Sequence, residues 1–297
     1  VSTTLRRRAA AVACGVVVDR CFGEPPAAIH PVAAFGSLME RIERSLYWDA
    51  RGAGAAYATL GALVGYAAGG VFPTTLVVAT TCAGRELRQT ASRVRHALAR
   101  DDVQRARTLL PSLVGRDTST LDYSGIAAAV IESVAENMVD AVVAPAFWGF
   151  CAGGSGAAAY RAVNTMDAMV GHHSARYERF GWASARLDDI ANLVPARVTA
   201  LLVGLVRPTA MRRVARAARE QAPAHPSPNA GIAEAAFAAV LGVELGGPLR
   251  YGDRHEERPR LGSGPRPQPS DIDRAVALAS DVELALVGLL AAAAVLA

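Results

Sequence analysis

Three groups of polar residues in the middle of the chain have types and spacing suited to metal and phosphate chemistry. Glu132, Glu136 and Asp140 stand four residues apart, which sets all three on one face of a continuous helix, with Asn137 beside them. Oxygen ligands that close suit a hard divalent cation or a metal-bound phosphate. Like charges at this spacing also repel, so a solvated acidic stripe is the competing reading. The uncharged stretch 141–160 that follows favours function, because acids leading into an apolar segment are costly to keep. Asn164, Thr165 and Asp167 form the second group, with Arg161 one turn earlier. Asp188, Asp189 and Asn192 form the third, next to Arg186. Any one of these alone also reads as ordinary helix caps and turns. The catalytic candidates are Glu132, Glu136, Asn137, Asp167 and Asp188, and the metal candidates Glu136, Asp140 and Asp189.

Binding groups accompany them. Gly115-Arg116-Asp117-Thr118 offers a planar guanidinium for carboxylate or phosphate, against a plain Arg116–Asp117 surface pair. His30 precedes Pro31 and follows Glu24-Pro25-Pro26, a stiff segment that suits a binding rim or a structural turn. Arg116, Asp117, Arg161, Asn164, Arg186, Asn192 and His30 are the candidates for substrate or nucleotide. His172 and His173 are adjacent and point apart, so they read as a proton carrier or a surface loop rather than a paired metal site. Gly154-x-Gly156-x-x-Ala159 has the outline of a dinucleotide fingerprint, but no strand precedes it, and close helix packing is the better account.

The elements that must position these groups are helical. Residues 52–84 carry no charge and, at 1.5 Å per residue, make about 50 Å of helix, longer than a bilayer core. Gly69, Gly70 and Pro73 interrupt the run, giving one tilted helix or a broken pair. Helices are expected over 85–110, closed by Pro111, over 124–138, over 230–245 as an amphipathic helix, and over 271–297. Apolar stretches cover 141–160 and 190–206. Period-two alternation is scarce, so little or no sheet is expected. The reading is an all-α, polytopic helical integral membrane protein. It is one helical membrane domain over 1–297, with polar loops at about 85–120, 161–189 and 250–270, and multi-pass in the cell membrane.

Composition agrees and excludes. Hydrophobic residues are 52% and mean hydropathy is +0.21, an excess carried by the long uncharged runs. All 31 basic residues are arginine. That excludes the lysine-dependent P-loop and Schiff-base chemistry by this chain. Cys14, Cys21, Cys82 and Cys151 form no Cys-x-x-Cys pair, against a zinc site or disulfide framework. The Arg-rich start resembles a signal peptide, but its apolar part is short, and it reads as mature chain. Arginine clusters at 6–8, 85–107 and 207–219 each abut an apolar stretch, which fits cytoplasmic loops better than nucleic-acid binding, and no nucleic-acid partner is expected. If 141–160 and 190–206 both span, 161–189 faces outward, away from ATP. At least one of them is then re-entrant or interfacial.

The chain resembles the CobD/CbiB family, the adenosylcobinamide-phosphate synthases of cobalamin biosynthesis. The resemblance runs through Asp19-Arg20-Cys21-Phe22-Gly23-Glu24-Pro25-Pro26, Leu113-Val114-Gly115-Arg116-Asp117-Thr118 and Glu132-Ser133-Val134-Ala135-Glu136-Asn137-Met138-Val139-Asp140. It continues in Ala144-Pro145-Ala146-Phe147-Trp148, Tyr160-Arg161-Ala162-Val163-Asn164-Thr165-Met166-Asp167, Leu187-Asp188-Asp189, Pro195-Ala196-Arg197 and Ser227-Pro228-Asn229-Ala230-Gly231. The sequence departs from the family pattern at Glu24, where aspartate is usual, and at His172-His173, where an aromatic or lysine is expected. The resemblance implies a membrane enzyme that joins adenosylcobyric acid to (R)-1-aminopropan-2-ol or its O-phosphate, driven by ATP with Mg2+. The residue types fit an acyl phosphate route, with arginines and magnesium offsetting phosphate charge. A corrinoid or small-molecule transporter, for which broken helices are typical, and a non-catalytic scaffold are the competing classes. Oligomeric state is left open.

Overall fold

A computed structural model describes residues 3–115, 117–172, 174–251 and 254–296. The chain is helical almost throughout and falls into two compact units. The first unit comprises Val1–Arg85, Asp140–Pro195 and Leu286–Ala297, and the second Glu86–Val139 and Ala196–Ala285.

The first unit holds α1 (Thr3–Phe22), α2 (Pro31–Leu46), α3 (Arg51–Gly69), α4 (Thr74–Thr81), α8 (Ala144–Val170) and the start of α9 (Trp182–Val206). The uncharged run 52–84 is thus a broken pair, turned at Gly70–Pro73. Helix α3 carries Gly61, Gly65 and Gly69 at four-residue spacing, and this stripe lies against α8. A Cβ at Gly65 would stand 2.6 Å from the Ala162 Cβ, and one at Gly69 would stand 2.3 Å from the Gly154 carbonyl oxygen. Only glycine permits backbones so close, which confirms Gly154 as a packing residue. Met39, Tyr57, Val163, Met166, Val170 and Phe180 fill the adjoining core.

Helix α8 is broken in its middle, where Gly153 adopts φ +68°. Each broken end is capped from another helix. The Arg8 guanidinium donates to the Cys151 carbonyl at 2.5 Å, and the Gly154 N–H donates to Thr74 Oγ1 at 3.0 Å. Two prolines impose the same requirement. A proline has no N–H, so the carbonyl four residues earlier loses its helical donor. For Pro145 that carbonyl is Ala141, and it accepts from the Ala83 N–H at 2.9 Å. For Pro195 it is Ala191, and it accepts from Trp148 Nε1 at 3.0 Å. The polar stretch 161–189, expected as a loop, is instead helix at both ends, because Arg161 to Asp167 and Arg186 to Asn192 keep helical spacing inward. Its central turn is latched to the end of α2. Glu43 accepts from Arg176 and from the Tyr177 hydroxyl, both at 2.9 Å, and the Tyr47 hydroxyl donates to the Arg176 carbonyl. Burial, then the Glu43 carboxylate, push the Tyr177 phenol above its ordinary pKa, so it stays a donor.

The second unit holds α5 (Gly84–Leu98), α6 (Val103–Leu109), α7 (Tyr123–Met138), α10 (Met211–Glu220), α11 (Ala230–Leu241), most of α12 (Pro269–Leu296) and a hairpin of β1 (Leu245–Tyr251) and β2 (Arg254–Leu261). Three expectations change here. The 85–110 helix divides at Asp101, which takes φ +58°. The expected amphipathic helix over 230–245 is α11, which is buried on nearly every side and ends at Gly242 in the left-handed conformation. The exposed loop expected over 250–270 begins as the hairpin. Glu283 of α12 is fully buried and paired with Arg88 of α5.

Trp148→Phe removes the donor to Ala191, and unfolding in detergent should show a loss of about 1–3 kcal/mol. In a Pro195→Ala background the new N–H can serve Ala191, so the same change should cost clearly less. Equal costs in both backgrounds would exclude this account.

Candidate active site

Two of the three polar groups meet where α8 faces α9. Asn164 Nδ2 donates to Asp188 Oδ1 at 3.2 Å, and Asn192 Nδ2 donates to Asp188 Oδ2 at 3.0 Å. Arg161 donates to Asn164 Oδ1 at 3.2 Å, and the Tyr160 hydroxyl donates to Asn192 Oδ1 at 2.9 Å. Asp140 Oδ1 lies 3.4 Å from the same hydroxyl, the weaker of two acceptors for its one proton. The residues share faces by helical spacing: Tyr160, Arg161 and Asn164 on α8, and Asp188 and Asn192 on α9. The bonds have a direction. A guanidinium only donates, so Asn164 must turn its oxygen to Arg161 and its amide N–H groups to Asp188. Tyr160 orients Asn192 the same way. Two donors converge on residue 188, and a carboxylate is the group that can accept both.

Arg161 also reaches an apolar groove of about 380 Å³ lined by Ile29, Phe35, Phe72, Leu76 and Ala162, among others. A second, more open hollow beside it includes Glu24, His30, Arg161 and Thr165. His30 caps α2 by accepting from the Val32 N–H at 3.2 Å, and its Nε2 meets Glu24 at 3.1 Å. The Arg161 Nε is buried and has no hydrogen-bond partner among the described residues, and no carboxylate pairs with the guanidinium there. A cation so placed is an anion-binding group by its chemistry.

A family model described as CobD/Cbib protein matches residues 12–279. The chain belongs to the CobD/CbiB family. Among its relatives is a cobalamin biosynthesis protein CobD of Mycobacterium tuberculosis, 44% identical over 296 residues, covering 95% of this chain and 94% of that protein. Proteins of the same name from Chromobacterium violaceum and Rhodobacter capsulatus are 45% and 40% identical. The first alignment covers 89% of each chain, and the second 91% of this chain and 92% of that protein. No solved structure matches.

Asp140 borders the network through Tyr160, and the other candidate residues of this CobD/CbiB chain make bonds of their own. Glu132 accepts from the Gly246 N–H at 2.8 Å and so holds the hairpin in the second unit. Asn137 donates to Ser133 within its own helix, and Glu136 is exposed on α7. Asp140 lies beyond, in a π turn over Val139–Val143, so the four-residue face read from sequence does not continue through it. Asp189 pairs with Arg186 at 3.3 Å, and Asp117 accepts from the Ser119 N–H in a turn. Asp167 lies one turn past Asn164, where its carbonyl accepts from the Gly171 N–H. Arg116 and His173 lie outside the described residues. Among the described residues no three of His, Cys, Asp and Glu gather as a metal cage. Magnesium carried on a nucleotide needs only one or two carboxylates, and Asp188 and Asp140 are joined through one network.

The sequence reading missed Tyr160 as the link between α9 and Asp140. It also missed a buried pair in the second unit, His225 and Glu234 at 3.6 Å, with Arg258 2.9 Å from the same histidine nitrogen. A signal existed for the pair, since Glu234 is the one charge in an otherwise apolar α11.

Asp188→Asn should lower unfolding stability by about 1–3 kcal/mol, because an amide there sets N–H against N–H or reverses the chain of bonds. Asp189→Asn, next to solvent, should stay within about 0.5 kcal/mol. Similar losses for the two variants, measured by thermal unfolding, would rule out the directed network.

Proposed function

We propose that the chain is a cobalamin biosynthesis ligase. It joins a propionate carboxylate of adenosylcobyric acid to (R)-1-aminopropan-2-ol or its O-phosphate, at the expense of ATP. Membership of the CobD/CbiB family and the name shared by its relatives support the pathway. The observation that carries the site is Arg161, a cation facing a groove with no carboxylate of its own among the described residues, hydrogen-bonded through Asn164 to Asp188.

In this reading a carboxylate oxygen of the corrinoid attacks the γ-phosphorus of ATP. The bond from that phosphorus to the bridging oxygen breaks, ADP leaves, and an acyl phosphate forms. The amine nitrogen then attacks the acyl carbon, the carbon–oxygen bond to phosphate breaks, and nitrogen gives up a proton. The products are amide, ADP and inorganic phosphate. Magnesium bound with the nucleotide would offset phosphate charge, and Asp140 would be a carboxylate ligand to it; Glu136 and Asp189 are the other metal candidates from the sequence. Arg161 would hold the substrate anion and His30, on the rim of the adjoining hollow, would border it. Asp188, as a proton acceptor, would keep the amine neutral. Without lysine, phosphate recognition falls to arginines and backbone N–H groups.

A membrane setting fits this substrate. Trp182–Val206 and Pro269–Leu296 are each long and apolar enough to cross a bilayer. Their outward residues include Ile190, Val194, Leu201, Leu205, Leu284 and Leu289, an apolar surface that lipid would cover.

Purified protein in detergent should form the amide from adenosylcobyric acid and either amine only when ATP and magnesium are both present, read by product mass. Arg161→Gln should lower kcat/KM roughly tenfold to a hundredfold, as for loss of a charged hydrogen bond to substrate. Folded wild-type protein that binds the corrinoid but leaves its mass unchanged would overturn the ligase reading and favour transport.

A further inference from the structure

The arginine clusters look alike in sequence, but the structure uses them differently. In the N-terminal cluster, Arg6 donates to the Val295 carbonyl at 2.5 Å at the end of α12, and Arg8 caps the broken α8. In the second cluster, Arg88 pairs with Glu283, Arg93 with Glu86 at 2.9 Å and Arg95 with Asp273 at 2.8 Å, while Arg107 donates to the Leu121 carbonyl. Arg7, Arg100 and Arg105 also lack a side-chain partner among the described residues, but helix α10 lines such arginines up along one face. Its sequence, MRRVARAARE, sets Arg212, Arg216 and Arg219 at i, i+4 and i+7 along one exposed face, with Arg213 beside them and Val214 and Ala217 buried opposite. Among the described residues Arg212 and Arg216 have no hydrogen-bond or ion-pair partner. Glu220, the one acid of the helix, lies 3.6 Å from Arg219.

The stripe begins directly after an apolar outward face. Leu201 and Leu205 of α9 are 54% and 47% exposed, α9 ends at Val206, and α10 starts at Met211. A Cβ at Gly204 would meet the Met211 side chain, so the two helices are closely joined. An apolar face followed, past the short turn Pro208–Ala210, by a basic face on which Arg212 and Arg216 stand unneutralised matches the change from hydrocarbon to headgroup at a bilayer surface. We propose that α10 is a binding site for anionic phospholipid headgroups, with Arg212, Arg216 and Arg219 each reaching a phosphate. This is independent of the reaction assigned above.

The test uses the full chain, purified in detergent and exchanged into bilayers of phosphatidylcholine with a minor share of phosphatidylglycerol. Bound lipid is read by native mass spectrometry. Wild-type protein should retain phosphatidylglycerol in preference to phosphatidylcholine, and added salt should weaken that preference. The combined variant Arg212→Gln, Arg216→Gln, Arg219→Gln should lose roughly fivefold in affinity per arginine, on the order of a hundredfold in all. Its thermal unfolding should match wild type, since these side chains are exposed. Arg93→Gln with Arg95→Gln, which removes paired arginines, should leave retention unchanged. Equal retention by wild type and the α10 variant, equal loss in both variants, or stronger capture of a short RNA than of phosphatidylglycerol would each overturn the proposal.

Discussion

A polar backbone group in apolar surroundings has to find its partner inside the protein, and the first unit is organised around that requirement. Away from water, an unmet carbonyl costs several kcal/mol. Pro145 and Pro195 each release a carbonyl from its helix, and the break at Gly153 releases more groups on both sides. The donors that answer come from other parts of the chain: Ala83 in the link after α4, Trp148 of α8, Arg8 of α1 and Thr74 of α4. Each irregularity thereby becomes a fixed point of attachment. The prolines and glycines that weaken individual helices are the positions that fix α1, α4, α8 and α9 to one another.

Side chains obey the same rule, and the polar network follows from it. Arg161 can only donate, which orients Asn164. Tyr160 orients Asn192 from the other end. Both amides then present N–H groups to Asp188. The network is therefore directed, and its one carboxylate acceptor is set by the groups around it. The Glu43 latch on Arg176 and Tyr177 fixes the turn between α8 and α9, which keeps Asn164 opposite Asp188. Under the proposed function this acceptor and the Arg161 cation beside it would receive a charged substrate.

Charge distribution completes the picture. With arginine as the sole strong base, the chain caps helices, forms ion pairs and faces solvent with the same side chain. Arginine suits all three tasks because its planar group donates in several directions and stays charged when buried. In the second unit the Arg88–Glu283 pair shows the buried extreme and α10 the exposed one.

The sequence alone determined the helical class, since long uncharged runs at 52–84 and 141–160 with scarce alternation leave little room for sheet. It also determined the family, through motifs spread along most of the chain, and the presence of Arg161, Asn164, Asp188 and Asn192 among the candidates. Periodicity is a local property and can be read from neighbouring residues. Which carboxylates meet is not local. Glu132, Glu136 and Asp140 have the clearest spacing, yet Glu132 serves the hairpin and a π turn carries Asp140 out of register toward Tyr160. The hairpin escaped notice because its pairing rests on cross-strand bonds and on left-handed glycines at 246 and 247 rather than on alternating hydrophobicity. Tyr160 escaped because a lone tyrosine in an apolar helix gains its meaning only from the residue facing it. Tertiary structure decided the polar network of the candidate site, because hydrogen bonds between α8 and α9 depend on side chains more than twenty residues apart being brought within about 3 Å.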